Sequence, residues 1–144
     1  DHRDLHSFPT RRSSDLTCFC CEEGVKLLKK TTQSITLEMI NFLSGFMKEK
    51  VGRGPRDVKI KMVDNTLIFF IRGILSPLEK CLTQSAKGEK LILESRKLYL
   101  ELTNHERIPA IEKIVGAKVL EHYEALNVRT ETAVGVIVFD RNIA

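Results

Sequence analysis

The chain has 144 residues, about the size of one domain, since single domains run to roughly 100–200 residues. With 42% hydrophobic residues, 29% charged residues and a formal net charge of +4, it is too apolar and too evenly mixed for wholesale disorder. Its longest unbroken apolar run, Leu67 to Ile71, is five residues, far short of the roughly 18 that a membrane span requires.

Residues 1–16, DHRDLHSFPTRRSSDL, show neither a helical nor a strand period and have no apolar face. Every position fits an in-frame translation of a widely used short-read sequencing adapter. The stretch therefore resembles an artefact, expected to be disordered and set aside from fold reasoning. Residues 17–31 read as a junction of doubtful origin, since Glu22-Glu23-Gly24 can be encoded by a purine-rich ribosome-binding site, which would put a start near Leu27 or Leu28. Leaving out residues 1–24 removes three basic and five acidic residues from totals of 23 and 19, so the remainder is mildly basic at +6. Cys18, Cys20 and Cys21 fall in the junction and lack the paired two-residue spacing of a zinc site. No metal or other cofactor is expected. Cys81, alone, implies a core thiol in a reducing, cytoplasmic compartment.

Residues 32–144 read as a single domain. From Thr32 to Lys50, Ile35, Met39, Phe42, Leu43, Phe46 and Met47 recur at spacings of three and four, which predicts an amphipathic helix. Gly52-Arg53-Gly54-Pro55 ends it, because Gly suits a left-handed C-cap and Pro cannot continue the ladder. The period then changes to two: Val58, Ile60 and Met62 alternate with Lys59 and Lys61. Thr66 to Arg72 supplies a second strand after a turn at Asp64-Asn65, which makes an antiparallel hairpin. Ser76-Pro77-Leu78-Glu79 carries a capping box with Pro at the first helical position, and the short helix it opens turns Leu78, Cys81 and Leu82 inward before fraying at Ala86 to Gly88. A helix over 89–106 follows, with Leu91, Leu98 and Leu102 on its inner face, Ile92 and Tyr99 beside them, and Glu94, Arg96, Lys97 and Glu101 opposite. Pro109 marks a break or a new start, with a further turn or two to Gly116. Strands at 118–127 and 133–140 close the chain, the second central because of Val136-Ile137-Val138-Phe139.

An α+β fold follows. Two hairpins form one antiparallel four-stranded sheet with the helices packed on one face, in the order α-β-β-α-α-β-β. Exposed hairpin edges leave a strand-paired homodimer open.

No catalytic constellation stands out. Gly52-Arg53-Gly54-Pro55 invites an anion-nest reading. A P-loop, however, runs strand, glycine loop, helix, and this order is reversed. A helix C-cap with a rigid turn is the simpler assignment, and an anion- or partner-binding loop is the functional one. Lys48, Lys50, Arg53, Arg56, Lys59 and Lys61 put six basic residues within fourteen positions, and alternation sets Lys59 and Lys61 on one solvent face. The patch is either a solvated face or a docking surface for an acidic partner or an anion. The strand holding Phe69 and Phe70 reads as buried, so it offers no stacking platform and nucleic acid is a weak candidate. His105 and His122 have no partner at a spacing that defines a triad or metal pair. Glu79 serves the capping box, with Arg72 as a candidate ion-pair partner.

Two segments carry a family resemblance: VGRGPRDVKIKMVDNTLIFFIRGILSPLEKCL (residues 51–82) and IVGAKVLEHYEALNVRTETAVGVIVFD (residues 114–140). The glycine turn, the hairpin, the Ser-Pro-x-Glu helix start and the closing Val-Ile-Val-Phe strand resemble the MpsC-like family, named for a sodium-translocating, membrane-potential-generating system. Leu126-Asn127-Val128 departs from the Asp-containing stretch usual there. The resemblance covers residues 32–140 and implies a non-catalytic accessory protein of a membrane cation or bicarbonate transport system. Such a protein would be cytoplasmic and peripheral to the membrane through a protein component of that system. No catalytic residues are carried over. The residues themselves supply the candidate docking surface: Gly52, Arg53, Gly54, Pro55, Arg56, Lys59, Lys61 and Arg72. The alternative is an anion- or small-ligand-binding domain built on the turn with Arg53, Arg56 and Arg72. RNA binding is a weaker third.

Overall fold

The computed structural model describes residues 30–144, so the adapter-like residues 1–16 and residues 17–29 of the junction lie outside the described residues. The elements are α1 (Thr32–Val51), β1 (Asp57–Val63), β2 (Thr66–Arg72), α2 (Pro77–Leu82), α3 (Ala86–Val115), β3 (Val119–Asn127) and β4 (Thr132–Phe139). The strands form one antiparallel sheet in the order β1-β2-β4-β3. The fold is α+β, and the two hairpins join where β2 pairs with β4. That pairing makes β4 a central strand, as its Val-Ile-Val-Phe run predicts.

One face of the sheet carries the core. Leu67, Phe69 and Ile71 of β2 and Ile137 and Phe139 of β4 lie buried against Ile35, Met39, Leu43 and Met47 of α1 and Ile92, Ile111 and Val115 of α3. The period of two and the period of 3.6 meet there, each burying one side of its element. Gly52, with φ of 91°, donates its N–H to the Lys48 carbonyl and ends α1. Asp64, with φ of 52°, turns β1 into β2. The capping box before α2 is complete: Ser76 N–H donates to Glu79 Oε2 and Glu79 N–H to Ser76 Oγ.

Four expectations about the helices require correction. Helix α3 does not break at Pro109 but runs for 30 residues. Pro109 is exposed, so the carbonyl it leaves without a helical partner faces water, while Ile111 and Val115 beyond it stay packed in the core. Fraying at Ala86 to Gly88 is replaced by a new start, because Ser85 Oγ accepts the Gly88 N–H. Gly88 is buried, and a Cβ there would lie 1.8 Å from the Leu82 carbonyl oxygen, so only glycine lets α3 begin so close to α2.

The inner face of α3 is not the leucine face. Leu91, Leu98 and Leu102 are 47%, 54% and 63% exposed, and Gly88, Ile92, Arg96, Arg107, Ile111 and Val115 turn inward. In α2, Leu78 and Cys81 are exposed and only Leu82 is partly buried, so Cys81 is not a core thiol. A helix of six residues cannot bury two sides, and its orientation is set by the Glu79 carboxylate instead.

Glycine packing gives a direct check on the sheet. Gly135 faces Phe69 across β2–β4, and a Cβ there would come within 2.0 Å of the ring. Gly135→Ala is expected to lower unfolding free energy in urea by about 1–3 kcal/mol. Gly45→Ala, in α1 with nothing within 4 Å of the added Cβ, is expected to raise it by about 0.5–1 kcal/mol.

Candidate functional site

Strand alternation sorts the basic residues near the first hairpin. Lys59 and Lys61 point to the sheet face that carries no helix, opposite Phe70 and Ile68 of β2, and Arg72 of the same face pairs with Asp57 across the strands. The Arg72 guanidinium lies 5.4 Å from the Phe70 ring centroid. Phe70 thus faces outward, correcting its assignment to a buried strand face, and only its neighbour Phe69 enters the core. Arg56 has the opposite parity, and its N–H donates to the Arg72 carbonyl at the point where Gly73 passes it. Lys59, Lys61 and Arg72 are therefore brought together. Arg53 and Arg56, both exposed, stand apart in and beside the Gly52 to Pro55 turn, whose Gly52 acts as the α1 C-cap.

Beyond the lysines, the same face is apolar. Ile68 and Phe70 sit beside Val136 and Val134 of β4, which pair with Tyr123 and Ala125 of β3. Ile68 and Val134 are each 36% exposed and Tyr123 59%. This is a continuous apolar field, basic along its β1–β2 side, with Glu121 holding the Tyr123 hydroxyl at 2.9 Å on the far edge.

The helix-covered face holds a second group of residues. Arg96 of α3 donates from Nε to Glu79 Oε1 and from Nη2 to Glu79 Oε2, each at 2.7 Å, and Nη2 also reaches the Ile74 carbonyl. Glu79 is thus paired with Arg96, not with Arg72 as the sequence suggested. Seventeen residues separate the two on different helices, beyond any local spacing rule. Burial pushes the Glu79 carboxyl up, but the Arg96 and Ser76 hydrogen bonds outweigh it and leave it below the usual range.

Arg107 donates from Nη1 to Glu124 Oε1 and from Nη2 to Asn104 Oδ1, both at 2.8 Å. The same Glu124 oxygen meets His122 Nε2 at 2.8 Å. His122 is therefore not an ordinary strand residue: His and Glu two apart on β3 share one face, a signal present in the sequence. Burial raises the Glu124 carboxyl, and His122 and Arg107 together hold it lower than usual. His105 remains exposed, beside Glu106.

Between α1, α3 and the sheet lies a cavity of about 70 Å³, lined by Arg96, Tyr99, Arg107 and Glu124 among apolar side chains. Among the described residues no group of three or more His, Cys, Asp or Glu is placed to hold a metal ion. No helix among them is long and apolar enough to cross a membrane. At the second hairpin, Asn127 Oδ1 accepts the Arg129 and Thr130 N–H groups, a turn-closing role that an Asp oxygen fills equally well.

The family model described as "Na+-translocating membrane potential-generating system (MpsC)" matches residues 31–141, and the chain belongs to that family. It is 26% identical over 107 residues to "Uncharacterized protein YrhF" of Bacillus subtilis, covering 74% of this chain and 88% of that protein. It is 30% identical over 103 residues to "Uncharacterized protein YbcI" of the same organism, covering 72% and 83%. No solved structure matches.

The buried pair can be tested by removing one partner and then both. Glu124→Leu leaves the Arg107 charge uncompensated and is expected to cost about 3–5 kcal/mol at neutral pH, most of it recovered in the double variant with Arg107→Met. Because the folded Glu124 carboxyl titrates below its usual 4.5, its contribution is present above that value and lost as pH falls through the folded value. Urea unfolding of wild type and Glu124→Leu should therefore converge in acid.

Proposed function

We propose that this protein is a non-catalytic accessory or regulatory module that docks onto a protein component of a membrane cation or bicarbonate transport system. The observation that carries this reading is the uncovered sheet face, where Lys59, Lys61 and Arg72 border the apolar field around Ile68 and Phe70. An apolar centre with a charged rim is the usual anatomy of a protein–protein contact. A rim of this sign suits an acidic partner and speeds its approach. The Gly52 to Pro55 turn and Arg53 and Arg56 extend the contact past the β1 end of the sheet. The family description supplies the membrane system, and a partner within it would hold the protein at the cytoplasmic side of the membrane.

Nucleic acid fits this face less well. The Phe70 ring is taken by the Arg72 guanidinium, and Tyr123 sits against the Glu121 carboxylate, which repels phosphate.

Retention of the purified chain on membrane vesicles tests the proposal, comparing vesicles from a cell that encodes the transport system with vesicles from one that lacks it. Retention should appear only in the first and fall at least tenfold in the Lys59→Glu/Lys61→Glu variant. Both side chains are exposed, so the thermal midpoint of that variant should stay within a degree or two of wild type. Equal retention by both vesicle types, or by the charge-reversed variant, rejects the reading.

A further inference from the structure

The cavity between α1, α3 and the sheet has an unusual lining for its size. Its walls are mostly apolar, yet they include two guanidinium groups, Arg96, which is paired with Glu79 behind the wall, and Arg107, which is paired with Glu124. Arg107 is 5% exposed, and its Nε is buried without a hydrogen-bond partner. A buried N–H left in that state bears its desolvation cost without compensation. A volume of about 70 Å³ is large enough to admit water. Ordered water, however, needs two to four polar partners each, and this lining offers few. Burial pushes the Tyr99 phenol up, so its hydroxyl stays a donor at neutral pH. A second depression of about 300 Å³ shares Arg96, Leu100, Glu124, Leu126 and Ala133 with the cavity, which gives it a mouth on the α3–β3 side.

We infer that this cavity is a binding site for a short-chain monocarboxylate, with the carboxylate taken by Arg107 and Tyr99 and the alkyl chain lying against the apolar wall. The head group supplies the acceptor that the Arg107 Nε lacks, in a charge-assisted hydrogen bond. The chain fills space that water would occupy at a loss. The site uses none of Lys59, Lys61 or Arg72 and is independent of the docking proposal, so either can fail alone.

Titration of the full chain with acetate, propionate, butyrate and hexanoate, followed by calorimetry and by the thermal midpoint, tests this assignment. Affinity should rise about fourfold per added methylene, the value of burying one such group, until the cavity is full and longer chains lose it. Ala133→Leu, which fills the cavity from β4, should abolish the length dependence. If its urea transition shows that it is unfolded, Leu100→Phe serves the same purpose from α3. Absence of binding across the series means that water occupies the cavity and overturns the assignment. A flat series, or equal stabilisation by chloride and inorganic phosphate, indicates a general anion effect and does the same. Undiminished binding in the folded, filled variant places the ligand elsewhere and also overturns it.

Discussion

The lie of α3 on the sheet depends on two buried guanidinium groups. Arg96 closes on the Glu79 carboxylate and the Ile74 carbonyl, and Arg107 closes on Glu124 and Asn104. Both project from one side of the helix, so satisfying them sets its rotation. The alternative rotation would bury Leu91, Leu98 and Leu102, worth about 1.5–3 kcal/mol each if fully covered. It would also carry both arginines away from their carboxylates and leave Glu124 buried without a cation, a cost of several kcal/mol per uncompensated charge. The leucines stay at the surface because the polar side of the same helix has partners that it cannot abandon.

The rest of the architecture follows from that choice. Glu79 reaches Arg96 only because the capping box holds its carboxylate at the start of α2, so a local motif becomes the anchor of a long-range pair. Gly88 then lets α3 begin against the Leu82 carbonyl, and Gly135 leaves room on β4 for the Phe69 ring. With α1 and α3 both committed to one face, nothing in the described chain covers the other. Its apolar strip and basic border remain open, while the helix-covered side retains a small cavity beside the second arginine. Phe69 and Phe70 are successive residues of β2, one lining the cavity and the other on the open face. Only the thickness of the sheet separates the two candidate surfaces.

The legible parts of the candidate site were those written in short spacings. Lys59 and Lys61 share a face because a strand alternates, and Gly52 caps α1 because its φ suits glycine. Ser76 to Glu79 forms its box within four residues. His122 and Glu124 were legible by the same alternation, although no sequence rule assigned them a function. Arg96 was read as solvent-facing because it lies opposite the leucine stripe, and nothing local marks Glu79, seventeen residues away, as its partner.

The sequence by itself determined the element order, the two hairpins, the caps at Gly52 and Ser76 and the inward set of α1, since each depends on contacts within a few residues or on a single unambiguous apolar period. Tertiary structure alone decided which face of α3 turns in, that the helix passes through Pro109, and that two arginines, a tyrosine and a carboxylate surround one cavity. Those outcomes rest on charges meeting across different elements, where the cost of a lone buried ion outweighs the pattern of hydrophobic residues along the chain.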